Sequence, residues 1–218
     1  LSLHDALPIW EALGDFRPLH IKFVPKTPFC WSTKNTKFKI KMRKVVLYIA
    51  MSLDGYIADA KNGVSWLVGD GSEPNSQGSY LTFYETIDTI ILGWNTYNQI
   101  TKELSPDNWP YKDKKSYIFT HQKINNLPNI EFKSTSIDKF INETKQIPGK
   151  NIWICGGANI VDQLLKKNLI DIFQIAIIPT VLGNGIKLFD NLDQKIRLNL
   201  KNAISYNGIV EIIYERKL

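Results

Sequence analysis

The hydrophobic pattern after residue 42 consists of short apolar runs, and several of them end in glycine. Residues 45–50, 89–92 and 152–155 have the length and aliphatic composition of strands that are buried on both faces of a sheet. Two more apolar runs, at 116–121 and 172–179, predict further strands. Because residues 152–155 are apolar throughout and bounded by glycine, we predict this strand at the centre of the sheet.

Hydrophobic residues at helical spacing lie between these strands. Ile160, Val161, Leu164 and Leu165 would share one face of a helix that begins within two or three residues of the glycine pair. The same spacing predicts three more helices: through Leu81, Tyr84 and Ile87 to an end near Asp88, through Tyr97, Ile100 and Leu104, and from a Ser136 cap through Ile137, Phe140 and Ile141 to Pro148.

The alternation of strands and helices predicts the fold class. Such a chain forms an α/β domain in which helices flank a mostly parallel, mixed central sheet. Residues 198–206 and 209–216 surround Asn207-Gly208, a strong signal for a tight hairpin that would add an antiparallel edge. With 218 residues, of which 44% are hydrophobic, the chain has material for one well-filled core.

Two of the predicted strands run through glycine into a helix start. Gly156-Gly157 follows the central strand, and Gly93 follows the strand at 89–92 with Thr96 three residues later. Free amides, the positive end of a helix dipole and the absence of side-chain bulk together make an anion site, most often for phosphate. A tight turn that needs glycine only for its backbone angles is the alternative explanation. In a parallel sheet both turns would lie beyond the carboxyl ends of the strands, where ligands bind.

Residues 1–41 differ from the rest of the chain. They contain five prolines and glycines and no sustained hydrophobic period, and Met42 is followed almost at once by the first strand. We therefore expect a single domain over residues 42–218, preceded by a non-native or disordered extension over residues 1–41. An N-terminal arm that packs on a partner through its aromatic residues is the competing interpretation.

Charge and cysteine content exclude several function classes. The net charge of +6 comes mostly from residues 1–41, with 7 Lys and Arg against 3 Asp and Glu, whereas the remainder carries 20 against 18. The main body thus lacks the basic face of a nucleic-acid binder. Cys30 and Cys155 cannot form a disulfide framework or a four-cysteine zinc site, so we expect no metal and a reducing, cytoplasmic setting. No apolar run approaches the roughly 20 residues needed to cross a bilayer.

Four segments carry a resemblance to a known family. They are MSLDGYIA at 51–58, ILGWNTY at 91–97, ICGGA at 154–158 and IPTVLGNGIKLF at 178–189. Each is weak alone, but in this order and spacing they resemble the dihydrofolate reductase superfamily, and most of all the reductase domain of the riboflavin-biosynthesis deaminase-reductases and its stand-alone relatives. The resemblance covers about residues 43–217.

The resemblance implies a NADPH-dependent reductase and assigns roles to individual residues. The cofactor pyrophosphate would lie against Gly93 and Thr96 on one side and Gly156, Gly157, Ala158, Asn159 and Ile160 on the other. The adenosine 2′-phosphate would meet Thr120, His121 and Lys123, although a solvated surface histidine is an equal alternative for His121. The nicotinamide would lie between Ala50 and Ile57. The substrate cleft would be lined by Trp66, Leu81 and Tyr84, each of which could equally be core.

Several positions depart from the folate reductases of this superfamily. Their pterin-anchoring carboxylate is replaced by Gln77, its supporting threonine by Ile175, and an arginine after the first glycine by Trp94. These departures disfavour true dihydrofolate reduction. A deaminase half is not present either, because two distant cysteines cannot supply its zinc ligands.

Three functions follow as hypotheses from the resemblance. The leading one is a NADPH-dependent reductase of a small heterocyclic or ribosylated substrate, similar to 5-amino-6-(5-phosphoribosylamino)uracil reductase. Asp54 is its candidate for proton delivery or sugar positioning, against the plainer role of a turn-forming residue before Gly55. The alternatives are a non-catalytic NADPH-binding module of the same fold and a true dihydrofolate reductase. A homodimer is a further implication of the resemblance.

Overall fold

The apolar runs form the strands of one large sheet. The computed structural model describes residues 42–190, 192 and 194–217. In chain order, its elements are β1 (Val45–Ser52), β2 (Tyr56–Ala58), α1 (Tyr80–Glu85), β3 (Ile87–Gly93), α2 (Trp94–Gln99), a π-helical turn (Ile100–Leu104), β4 (Lys115–Phe119), β5 (Ile130–Lys133), α3 (Ile137–Gln146), β6 (Asn151–Gly156), α4 (Ala158–Lys166), β7 (Ile172–Ile178), β8 (Ile186–Lys187), β9 (Leu198–Tyr206) and β10 (Ile209–Arg216).

The sheet has eight strands in the order β5-β4-β3-β6-β1-β7-β10-β9. Neighbouring strands from β5 to β7 are parallel, and β10 pairs antiparallel with both β7 and β9. β2 and β8 form a separate two-stranded antiparallel sheet. The predicted fold class is therefore confirmed, including the central place of β6 and the hairpin around Asn207-Gly208.

Both faces of the sheet are buried, which explains the continuous apolar runs. Along β1, Val45 and Leu47 pack on one face with residues of α3 and α4. Val46 and Tyr48 pack on the opposite face with residues of α1 and the aromatic side chain of Trp153. Alternate residues of one strand thus serve two separate cores.

The topology brings two helix starts to one edge of the sheet. β3 and β6 are adjacent and parallel, with Leu92 opposite Gly156. α2 begins directly after β3, and α4 begins after β6 on the opposite face. Because parallel strands end at the same edge, both helix N-termini point to the space above the strand ends.

The structure corrects some boundaries. Ile87 belongs to β3 and not to the helix before it, because α1 ends at Glu85. β5 and the short strands β2 and β8 were not predicted, since their few residues carry little periodic signal. Ser136 occupies the N-cap position of α3, but its hydroxyl bonds the Asp138 carboxylate instead of a backbone amide.

Two further predictions concern membrane-spanning segments and the N-terminal extension. Among these residues, no helix is long and apolar enough to span a membrane. The predicted extension over residues 1–41 lies outside them.

Candidate functional site

The two glycine turns touch each other. A Cβ atom on Gly93 would lie 3.2 Å from Ile160 Cγ1 and 3.7 Å from the Gly157 amide nitrogen. A Cβ atom on Gly157 would lie 3.2 Å from Thr96 Oγ1. Gly156 has a φ of 132°, a conformation that side chains disfavour. The absence of side chains at these positions lets the two strand ends approach closely and leaves their backbone accessible.

A cleft of about 1250 Å³ opens above this contact. It runs along the carboxyl edge of the sheet, from the ends of β4 and β5 past both glycine turns to β1 and β7. Neither α2 nor α4 has an acidic residue in its first turn. Since the first amides of a helix lack intrahelical acceptors, the start of α4 offers donors and a positive dipole end to a bound anion.

Of the residues predicted to bind the cofactor, all except Lys123 line this cleft. Lys123 is exposed in the loop after β4. The lining residues are Ala50, Ile57, Gly93, Thr96, Thr120, His121, Gly156, Gly157, Ala158, Asn159 and Ile160. The fold thus gathers positions that are more than 100 residues apart in the chain, and their individual binding roles remain predictions.

One end of the cleft, which we call the hydroxyl end, consists of residues 120–122 after β4 and 133–136 around the end of β5. The Thr120 amide donates to the Lys133 carbonyl at 2.9 Å, which joins the two strand ends. The Lys133 ammonium is 2.7 Å from Glu131 Oε2 and 5.4 Å from the centre of the Tyr117 ring. Lys133 and the run Ser134-Thr135-Ser136 were missed by the sequence reasoning, although three hydroxyl residues before a helix are a usable signal.

The opposite end, which we call the aromatic end, lies at β1, β6 and β7. Ala50 of β1 and Ala176 of β7 are opposite each other in register. The lining residues at this end are Tyr48, Ala50, Leu67, Tyr111, Trp153, Cys155, Ala176 and Ile178. Two small side chains surrounded by large ones leave a shallow floor at this end.

The residues predicted to line the substrate cleft are not at the cleft. Leu81 is on the outer side of α1, with 47% of its surface exposed. The Tyr84 hydroxyl donates to Asp113 Oδ1 at 2.5 Å, and the Lys114 ammonium lies 4.5 Å from the centre of its ring. Trp66 packs beside Ile178 and Tyr206 and donates from Nε1 to the Gly63 carbonyl. In place of these three residues, the aromatic side chains that line the cleft at the aromatic end are Tyr48, Tyr111 and Trp153.

Asp54 does not line the cleft either. Its carboxylate accepts hydrogen bonds from the Ser52 hydroxyl at 2.6 Å, the Gly183 amide at 2.7 Å and the Leu182 amide at 3.1 Å. The Ser52 bond, followed by the two amides, lowers the pKa of Asp54 to about 2. The geometry gives Asp54 a role in joining two loops, and at neutral pH it has no proton to deliver.

Ile175 was predicted to replace the threonine that supports the pterin-anchoring carboxylate in folate reductases. This prediction is wrong, because the Ile175 side chain lies on the other face of the sheet. Ile175 packs with the core beneath α3 and α4. The residues of β7 on the α1 side include Gln174 and Ala176, which pair in register with Tyr48 and Ala50. Gln77 precedes α1, and its Oε1 is buried with no hydrogen-bond partner among the described residues.

A fully buried carboxylate lies next to the aromatic end. Glu211 of β10 is opposite Ala176 in register and has no exposed surface. It accepts hydrogen bonds from the Ser79 hydroxyl, from Gln174 Nε2 at 2.7 Å, and from the hydroxyls of Tyr48 and Tyr206 at 3.4 Å each. Sequence reasoning missed this group because its four partners come from four separate segments.

The ionisable groups of the aromatic end are held in their neutral forms. Burial, and then the nearby Glu211 charge, raise the pKa of Tyr48 well above its usual value. Burial also raises the pKa of Tyr111, and it raises the pKa of the Cys155 thiol to about 12. Among the described residues, no group of three His, Cys, Asp or Glu side chains could hold a metal ion.

Two curated proteins of Bacillus subtilis are similar to this chain in sequence. The uncharacterized protein YwjB of Bacillus subtilis (strain 168) is 41% identical over 175 residues, which cover 80% of this chain and 98% of YwjB. The uncharacterized protein YyaP of the same organism is 35% identical over 189 residues, which cover 80% of this chain and 96% of YyaP.

Solved structures share the fold. A protein from Shewanella sp. PV-4 that is named for riboflavin biosynthesis superposes with a TM-score of 0.69 at 26% identity, over 80% of this chain and 99% of that one. The diaminohydroxyphosphoribosylaminopyrimidine deaminase/5-amino-6-(5-phosphoribosylamino)uracil reductase of Thermotoga maritima gives a TM-score of 0.59 at 12% identity, over 81% of this chain and 57% of that one. The second likeness concerns the fold alone.

The family model of the RibD C-terminal domain matches residues 43–211. This range includes both glycine turns, the strands whose ends border the cleft, and Glu211. The chain therefore belongs to the RibD C-terminal domain family and has the mixed sheet of a RibD-like reductase fold.

Proposed function

We propose that this protein is a NADPH-dependent reductase of a small heterocyclic substrate. The observation that carries the proposal is the contact between the two glycine turns at the base of a long cleft. A dinucleotide needs a phosphate site in the middle of an extended groove, with room for a base at one end and for a reacting ring at the other.

The residues around the glycine turns fit a pyrophosphate. The N-terminus of α4 supplies amide donors, and Thr96 adds a hydroxyl 3.2 Å from where a Gly157 Cβ would lie. A side chain at Gly93 or Gly157 would fill this space. The cleft volume of about 1250 Å³ exceeds the roughly 300–1,000 Å³ of ordinary ligand pockets, so a dinucleotide and a second small molecule fit together.

The hydroxyl end fits an adenosine 2′-phosphate. Lys133 and His121 offer cationic or donor groups, and Ser134 and Thr135 offer two hydroxyls before α3, since the Ser136 hydroxyl already bonds Asp138. Phosphate favours such donors, whereas the 2′-hydroxyl of NADH needs none of them. These residues support a preference for NADPH.

The aromatic end would hold the substrate. NADPH supplies a hydride when it is bound, and the protein has to orient the two rings and exclude water. Ala50 and Ile57 would form the wall behind the nicotinamide. Tyr48 keeps its proton at neutral pH and donates it to Glu211, so its oxygen can accept a hydrogen bond from a donor group of the substrate.

Thermal unfolding with cofactor tests the proposal. NADPH at 100 times its Kd should stabilise the fold by about 2.7 kcal/mol, which corresponds to a rise in Tm of about 5–10 °C for a chain of this size. NADH should give a smaller rise. Gly157→Ala, which places a methyl group beside Thr96 at a φ that alanine tolerates, should weaken NADPH binding at least about tenfold with little change in the Tm of the unliganded protein.

Lys167→Ala, at the opposite end of α4, is the matched control and should bind NADPH like the wild type. No Tm shift at millimolar NADPH, or normal binding by Gly157→Ala, would contradict the proposed cofactor site. Binding of NADPH without substrate-dependent loss of absorbance at 340 nm, for uracil and pterin substrates alike, would identify a non-catalytic module instead.

A further inference from the structure

The charged side chains of the cleft are unevenly placed. Among the described residues that line it, the carboxylate and cationic side chains are Glu103, His121 and Lys133. His121 and Lys133 are at the hydroxyl end. Glu103 lies in the π-helical turn beside Leu104, which packs with Tyr111 and Trp153 of the aromatic end. Glu103 therefore puts a carboxylate beside the aromatic end, whose own lining includes no cation among the described residues.

We propose that the aromatic end binds a flat, uncharged heterocycle and discriminates against a phosphorylated one. This inference rests on the proposed reductase function and specifies the substrate class of that same cleft. The substrate of this protein would thus differ from that of an enzyme whose substrate carries a phosphate, such as the 5-amino-6-(5-phosphoribosylamino)uracil reductase among the solved structures.

A flat ring matches the shape of this end. Ala176 lies next to Ala50 in register, so its methyl group forms the floor beside the expected position of the nicotinamide. Tyr111 and Trp153 stand edge to face with ring centres 5.2 Å apart and close the inner side. Aromatic and aliphatic walls favour a planar heterocycle through dispersion and desolvation.

A phosphate does not match this end. An anion buried against apolar walls needs a cation or several donors to replace its hydration. Both glycine turns are taken by the cofactor in the proposed function, and the tyrosine hydroxyls and the Cys155 thiol at this end stay neutral at physiological pH. The lining here offers no charge compensation.

The carboxylate of Glu103 lies beside the aromatic end and would repel an anionic substrate. Gln99 Nε2 donates to the Asn62 carbonyl at 2.8 Å and lies 3.5 Å from Glu103 Oε2, which connects the π-helical turn to the loop that carries Leu67. No described lysine or arginine forms an ion pair with Glu103. Its carboxylate would accept hydrogen bonds from ring amino groups and repel a phosphate.

Calorimetric titration of the NADP⁺-saturated protein tests the inference with a pair of probes. They are 5-amino-6-(5-phosphoribosylamino)uracil and the same compound after removal of its phosphate, with 6-methylpterin as a second uncharged ring. We expect the uncharged uracil to bind at least tenfold more tightly than its phosphate. Equal or tighter binding of the phosphorylated uracil would overturn the inference, as would failure of both uncharged probes to bind.

A charge reversal isolates the role of Glu103. Glu103→Lys should strengthen binding of the phosphorylated probe at least tenfold and change binding of the uncharged one less than threefold. Glu143→Lys, an exposed position on α3 that is not part of the cleft, makes the same change in net charge and should alter neither. An equal effect of both variants would mean that only overall charge matters, and the proposed role of Glu103 would fall.

The cofactor titration keeps the two proposals apart. A Tm shift with NADPH and no discrimination between the uracil probes rejects the substrate class alone. The absence of any shift with NADPH rejects the reductase itself.

Discussion

The surroundings of Cys155 set its reactivity. This residue precedes Gly156 on β6 and lines the cleft, and its Sγ lies 3.9 Å from the Tyr111 hydroxyl. Burial raises its thiol pKa from 9.0 to about 12. Since the thiolate is the reactive form, the raised pKa removes nearly all of the nucleophile at neutral pH.

We therefore expect Cys155 to resist thiol reagents in the folded protein. In a Cys30→Ser background at pH 8, its reaction with a chromogenic disulfide should be about 1000-fold slower than that of the unfolded chain, as expected for a pKa difference of about three. NADPH should slow the reaction further by covering the cleft. Rapid stoichiometric labelling of the native protein would contradict both the burial and the raised pKa.

At the level of secondary-structure elements, Glu211 connects the C-terminal hairpin to the rest of the fold. Its carboxylate on β10 receives bonds from Ser79 before α1, Gln174 of β7, Tyr48 of β1 and Tyr206 of β9. All of these donors would lose their acceptor if the side chain were shortened. Buried donors without a partner cost about 1–3 kcal/mol each in protein stability.

Glu211→Ala should lower the free energy of unfolding by about 3–5 kcal/mol, the range for breaking a buried charged contact. Glu211→Gln keeps the shape and two acceptor sites on its oxygen, so its loss should be smaller. Glu215→Gln, on the same strand but in surface ion pairs with Lys44 and Lys201, should cost about 0–1 kcal/mol. Urea unfolding measures all three. Equal stability of Glu211→Ala and the wild type would refute the connecting role.

For the molecule as a whole, the tyrosines on the α1 side link stability to alkaline pH. Burial raises the pKa of each of them above the usual value of about 10; they are Tyr48, Tyr80, Tyr84, Tyr97, Tyr111 and Tyr206. The folded state therefore keeps phenol protons that the unfolded chain releases. This contribution is fully present below the unfolded pKa and is lost as the pH rises above it.

The free energy of unfolding should stay level up to about pH 8, above which the unfolded Cys155 thiol, with its ordinary pKa of 9.0, begins to ionise. It should then fall with increasing steepness above about pH 10, where the unfolded tyrosines ionise. Each proton retained by the folded state adds about 1.4 kcal/mol per pH unit to this slope. Denaturant curves between pH 7 and 11, with tyrosine ionisation followed at 295 nm, check the prediction. Simultaneous titration of all tyrosines near pH 10 in the folded protein would disagree with it.

The sequence by itself determined the order of the elements and the glycine turns. Gly93 and Gly156-Gly157 were found because a strand, a glycine and a helix start are neighbours in the chain, and the predicted anion site depends on this local backbone geometry. The mostly parallel sheet and the hairpin at Asn207-Gly208 followed from equally local patterns, and the structure confirms them.

Only the tertiary structure decided which residues line the aromatic end. Its lining depends on which face each strand residue occupies, and a shift of one residue exchanges the faces, as Ile175 and Ala176 demonstrate. Glu211 and Glu103 reach their positions through contacts between segments that no sequence period connects. A site made of backbone turns can be predicted from consecutive residues, because the turn depends on local sequence. A site made of side chains from several strands cannot, because the register of the strands decides which side chains face it.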